Sequence, residues 1–115
     1  MEVKRAWAGD ARWGDPLLSV DGEHVHLGTR WGDVVLRIDG DKIRRGDSRW
    51  GDVVALRTED RVRAGDSRWG DVIAVLEGER VHRGDSRWGE VIAVADGGGM
   101  VGAAAAAWLV LEAPR

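Results

Sequence analysis

The sequence predicts an all-β chain of tandem β-hairpin repeats, about 19 residues each, five copies with a degenerate end, closing into a barrel-like sheet. Two observations carry this. Arg-Trp-Gly-acid recurs at Trp13, Trp31, Trp50, Trp69 and Trp88, and each interval holds two short strand-like pieces separated by glycine-rich turns. A third concerns the end of the chain: an alanine-rich apolar segment breaks the pattern and predicts a helix filling the centre.

The elements follow in order. Val3 to Ala8 supplies the first strand. After each Gly-acid pair comes a β-branched apolar piece, as in Val53-Val54-Ala55-Leu56, Val72-Ile73-Ala74-Val75 and Val91-Ile92-Ala93-Val94. The second piece alternates, one aliphatic between basic residues: His24-Val25-His26, Lys42-Ile43-Arg44, Arg61-Val62-Arg63, Arg80-Val81-His82. Period-2 alternation buries one face of a strand. The links are Gly-Asp-Ser-Arg-Trp-Gly and short acidic glycine turns such as Asp39-Gly40-Asp41. A one-residue deletion before Trp31, where Gly28-Thr29 replaces Gly-Asp-Ser, marks that link as a turn, since a strand would lose its register.

The repeats fall at about 3–20, 23–38, 41–57, 60–76 and 79–95 of a single domain, 1–115, with a C-terminal plug over 100–113. Lone hairpins are marginal and an open sheet leaves two edges, so side-by-side pairing with closure is expected. A β-solenoid with one coil per repeat is the alternative. Gly97-Gly98-Gly99 reads as a hinge, followed by Ala103 to Ala113 and then Pro114. Trp108 lies 20 residues after Trp88, so a degenerate sixth repeat unit closing the sheet as a strand remains open beside the helix.

Repeated near-identical hairpins with an apolar C-terminal segment resemble the β-flower proteins, similar in architecture to tubby-like barrels, in which a hydrophobic helix threads a closed sheet. The residues carrying the likeness are the Gly-Asp-Ser-Arg-Trp-Gly-Asp-Val unit, the Asp-Gly and Glu-Gly turns, and the Ala-rich end. The strands depart from that pattern in having no Tyr. The resemblance implies a membrane-proximal or lipid-related role for some relatives and carries over no functional residue.

Of 115 residues, 17 are basic and 20 acidic, a net charge of −3 that argues against nucleic acid as partner. The absence of cysteine excludes disulfides and thiolate chemistry. No nucleophile–base pair or phosphate loop occurs, so the chain reads as non-enzymatic, without a cofactor or metal, and cytoplasmic or membrane-peripheral. Ser48, Ser67 and Ser86 are repeated turn residues, and catalytic sites are seldom multiplied.

The leading expectation is a small binding or scaffold module. Lys42, Arg44, Arg61, Arg63, Arg80 and His82 would form a basic belt on the outer face that meets anionic lipid. Cross-strand pairing with Asp and Glu would neutralise that belt instead. The five tryptophans are expected in the shared interior or packed on their turns; exposed, they would stack on sugars, with the adjacent Arg and Asp binding hydroxyls, as in a carbohydrate-binding repeat. A self-assembling repeat is the third reading, and the oligomeric state is open. Asp10, Asp47, Asp66 and Asp85 before Trp, and Asp15, Asp33, Asp52, Asp71 and Glu90 after it, are expected to cap their own turns rather than cage calcium. His24, His26 and His82 read as surface residues. The Arg-Gly-Asp tripeptides at 45–47 and 83–85 read as hairpin turns.

Overall fold

The computed structural model describes residues 3–112. Ten strands run in chain order: β1 Lys4–Ala8, β2 Leu18–Asp21, β3 His24–Leu27, β4 Val34–Asp39, β5 Lys42–Arg45, β6 Val53–Thr58, β7 Arg61–Ala64, β8 Val72–Glu77, β9 Arg80–Arg83 and β10 Val91–Ala95. Every neighbour is antiparallel, and β1 pairs with both β2 and β10, so the sheet closes as a barrel. Closure removes both edges. The solenoid alternative is therefore excluded.

Short turns at one end of the barrel join β2–β3, β4–β5, β6–β7 and β8–β9 through two residues each. Their first position has positive φ (Gly22, Gly40, Glu59, Gly78), the II′ pattern whose twist suits a hairpin. At the other end the tryptophan loops make the connections. Each β-branched pair after such a loop forms a bulge: Val34 and Ala55-side Val53, like Val72 and Val91, lie at the point where register shifts against His26, Arg44, Arg63 and His82. The extra residue bends the strand, which assists closure.

The middle aliphatic of each basic-flanked strand, Val25, Ile43, Val62 and Val81, points inward and is buried, with Ala6 in the same place on β1. The turn at Gly97, Gly98 and Gly99, all of positive φ, sends the chain from the wall into the lumen. There a helix, α1 Gly99–Ala107, continues as a π-helical segment, Trp108–Glu112. Ala103 to Ala107 are completely buried, so the apolar segment is a plug and not the strand of a sixth repeat unit. Ala113 and Pro114, the expected end of the plug, lie outside the described residues.

Side-chain size places the helix off centre. On β6, β8 and β10 the inward residues are Ala55, Ala74 and Ala93, whereas Leu18 on β2 and Leu36 on β4 fill the opposite side. The helix packs chiefly on β8, β9 and β10, and Gly102 sits against Leu76, Val81 and Ala95. Among the described residues, no helix is long and apolar enough to cross a membrane, which says nothing of strands.

Candidate functional site

The five loops between residues 9 and 90 carry the most exposed large apolar side chains among the described residues. Trp13, Trp31, Trp50, Trp69 and Trp88 are 82–96% exposed. The expectation that these indoles lie in the interior is wrong. The barrel is narrow enough for small aliphatics and an alanine helix to fill it, which leaves no room for five indoles. Trp7 and Trp108, outside the repeated motif, are the half-buried ones.

What holds the loop is repeated at four of the five; the first has Ala11 in place of the hydroxyl and open space around Gly14. The serine or threonine side-chain oxygen two residues before Trp accepts its backbone N–H: Thr29 for Trp31 (3.3 Å) and Ser48, Ser67 and Ser86 for Trp50, Trp69 and Trp88 (3.0 Å each). These hydroxyls, rather than the aspartates, cap the turn. The glycine after Trp then presses on the strand end. A Cβ at Gly32, Gly51, Gly70 or Gly89 would stand 1.8–2.3 Å from the carbonyl oxygen of Leu27, Arg45, Ala64 or Arg83. That glycine's own carbonyl accepts a hydrogen bond from the strand below: His26 to Gly32 (2.9 Å), Arg44 to Gly51 (2.9 Å), Arg63 to Gly70 (3.0 Å) and His82 to Gly89 (2.9 Å). Trp7 fills the same position in the first repeat, donating to Gly14 at 3.3 Å.

The loop aspartates reach sideways. Asp47, Asp66 and Asp85 contact His24 (3.3 Å), Lys42 (3.4 Å) and Arg61 (3.0 Å) of the preceding repeat, and Asp10 contacts Arg80 (3.6 Å), carrying the ring past the closure point. The fifth position, opposite Arg5, is the one where the deletion at Gly28-Thr29 removes the aspartate.

All six belt residues therefore lie on the outer wall already engaged. Lys42, Arg61 and Arg80 pair with loop aspartates; Arg44 also pairs with Asp39 (3.0 Å) and His82 with Glu77 (3.1 Å), while Arg63 bonds Thr58. The hydrogen bond to Asp85 holds the Arg61 guanidinium above its ordinary pKa. His82 is only 6% exposed, a correction to its reading as a surface residue: it lies beneath the loop of Trp88. Among the described residues, no three histidine or carboxylate side chains gather as metal ligands.

Cavities of about 440 Å³ beside Gly97–Met100 and about 450 Å³ beside Glu112 exist, and neither is lined by any of the five tryptophans. A partner of these indoles must meet them at the surface. The chemistry on offer at each loop is a flat apolar face with a guanidinium on one side in sequence and a carboxylate on the other.

A family model described as "6-fold beta flower protein" matches residues 4–107. No curated protein and no solved structure matches the chain.

Proposed function

The chain belongs to the 6-fold beta flower family, and we propose that it acts as a non-enzymatic, multivalent binding module whose contact elements are the five tryptophan loops and whose ligand is carbohydrate. One observation carries the reading: five indoles are held in water on loops with repeated anchoring. Scattered single apolar residues on a surface are ordinary, whereas these indoles recur at one position of every repeat. Burying an indole removes about 150–250 Å² of surface, so water-exposed indoles retain most of that driving force for a partner.

Carbohydrate suits the loop chemistry. Pyranose C–H faces stack on indole, while Arg49 and Asp52, or Arg68 and Asp71, supply a donor and an acceptor for hydroxyls. Weak single sites gain from repetition when one polymer spans several loops. The basic belt supports an anionic partner less well, because its residues already have partners in the loops and on neighbouring strands.

A glycan array probed with the full chain tests this, followed by calorimetry on the best oligosaccharide. The expected result is binding that grows with oligomer length and is lost in the triple variant Trp50→Ala, Trp69→Ala, Trp88→Ala, with the indole emission shifting on titration. Failure on all glycans, together with flotation on lipid vesicles, would transfer the loops to a membrane surface, where indoles also settle readily.

A further inference from the structure

We infer that the sugar recognised by the tryptophan loops is positively charged: an amino sugar with free ammonium groups, presented as a polymer. This rests on the carbohydrate reading above and goes further by fixing the charge of the ligand. Two residues after each repeated tryptophan stands a carboxylate: Asp15, Asp33, Asp52, Asp71 or Glu90. Asp52 and Glu90 have 85% and 76% of their side chains exposed, with their nearest cations, Arg45 and Arg83, at 3.6 and 3.8 Å. Among the described residues, Asp15, Asp33 and Asp71 have no ion pair, so their charge faces solvent.

The arginines of the same loops do less to cancel this than their number suggests. Arg12 is drawn to Glu79 (2.7 Å) and Asp96 (3.2 Å), and Arg87 to Asp60 (3.4 Å). Asp10, Asp47, Asp66 and Asp85 are taken up by basic residues of the wall, which leaves the five carboxylates after the tryptophans beside Arg30, Arg49 and Arg68. Their field therefore attracts cations and repels anionic polymers.

At one loop an indole face already carries a cation. The Arg30 guanidinium lies over the Trp31 ring, 4.7 Å from its centroid. A cation over indole is held by the ring's quadrupole. At Trp50, Trp69 and Trp88 the indoles are more than nine-tenths exposed. An ammonium-bearing sugar ring could stack there with its charge toward the adjacent carboxylate, and a polymer of such sugars could meet several loops at once.

Calorimetry on the full chain with three hexamers of matched linkage tests the inference: β-1,4-glucosamine, its fully N-acetylated form and neutral β-1,4-glucan. The glucosamine hexamer should bind at least about tenfold more tightly, an advantage removed by deprotonating the amines or by Asp52→Asn, Asp71→Asn, Glu90→Gln, with binding abolished by the triple tryptophan variant. Equal affinity for all three hexamers overturns the charge assignment and leaves the carbohydrate reading standing. No affinity for any glycan overturns both. Poly-lysine binding as tightly as glucosamine, or glucosamine binding that survives loss of the tryptophans, reduces the effect to bulk charge and overturns the inference.

Discussion

Gly51, Gly70 and Gly89 are demanded by contact and not by dihedral angle. None has positive φ, yet a methyl group on any of them would collide with the carbonyl oxygen that ends the preceding strand. Gly14 is the reverse, with φ of 70° and open space around it. Gly70→Ala is therefore expected to destabilise by about 2 kcal/mol or more, because backbone must move, and Gly14→Ala by about 1 kcal/mol, the cost of a left-handed Cβ. Urea denaturation of the two variants measures the difference. The tryptophan beside each glycine has the opposite character. Trp69 is 93% exposed, so Trp69→Ala should change stability by less than about 0.5 kcal/mol, as surface substitutions do. A core tryptophan would cost about 3–5 kcal/mol, and the same denaturation series separates the two.

At the scale of the element, the helix is alanine because the lumen has no space for more. Ala105 is completely buried, and Ala105→Leu should destabilise by about 1–3 kcal/mol through overpacking, seen as a lower midpoint in thermal unfolding. The turn that feeds the helix has its own electrostatic clasp. Gly97 donates its N–H to Glu79 (2.9 Å), and Arg12 adds an ion pair at 2.7 Å. The Gly97 N–H first, and Arg12 second, hold the Glu79 carboxyl below its ordinary value of 4.5. A carboxyl depressed in the folded state stabilises above its unfolded pKa and loses that contribution as pH falls through the folded one. Glu79→Gln should therefore flatten the acid side of the stability profile below about pH 4.5 and leave that slope unchanged at neutral pH, as read by pH-dependent denaturation. Much of this scale was legible in the sequence. Alternation gave Val25, Ile43, Val62 and Val81 as inward residues, and the alanine run gave the plug. The bulges were not legible, since Val53-Val54 reads the same in a regular strand, and only pairing reveals that two residues oppose one.

At the scale of the whole molecule, recurrence of Trp beside Gly pointed to a structural role, and in part it has one: the motif builds a loop. The error lay in assigning the indole to the interior. Periodicity counts copies around a barrel but does not distinguish inside from outside at a turn, where strand alternation no longer applies. A volume argument would have found the signal: a ten-strand wall already lined by Leu18, Leu36 and Ile43 and filled by a helix leaves no place for five further indoles. The ring of polar contacts between successive repeats, from His24–Asp47 to Arg80–Asp10, was legible only as basic residues and aspartates in matching repeat positions. Such exposed pairs contribute little individually, about 0–1 kcal/mol each, and set the lean of the loops rather than hold the barrel shut. Its absent member lies at Thr29 in the second repeat, while the first repeat keeps its aspartate and lacks the hydroxyl cap, with Ala11 in that place.

The binding surface exists only if the indoles stand in water. Acrylamide quenching of intrinsic fluorescence in the native chain, compared with the urea-unfolded chain, tests that most directly. The expected result is a red-shifted native emission dominated by freely quenched indole, five of the seven residues, with quenching close to the unfolded value. A blue-shifted native emission shielded from acrylamide would return the tryptophans to the core and remove the binding surface with them.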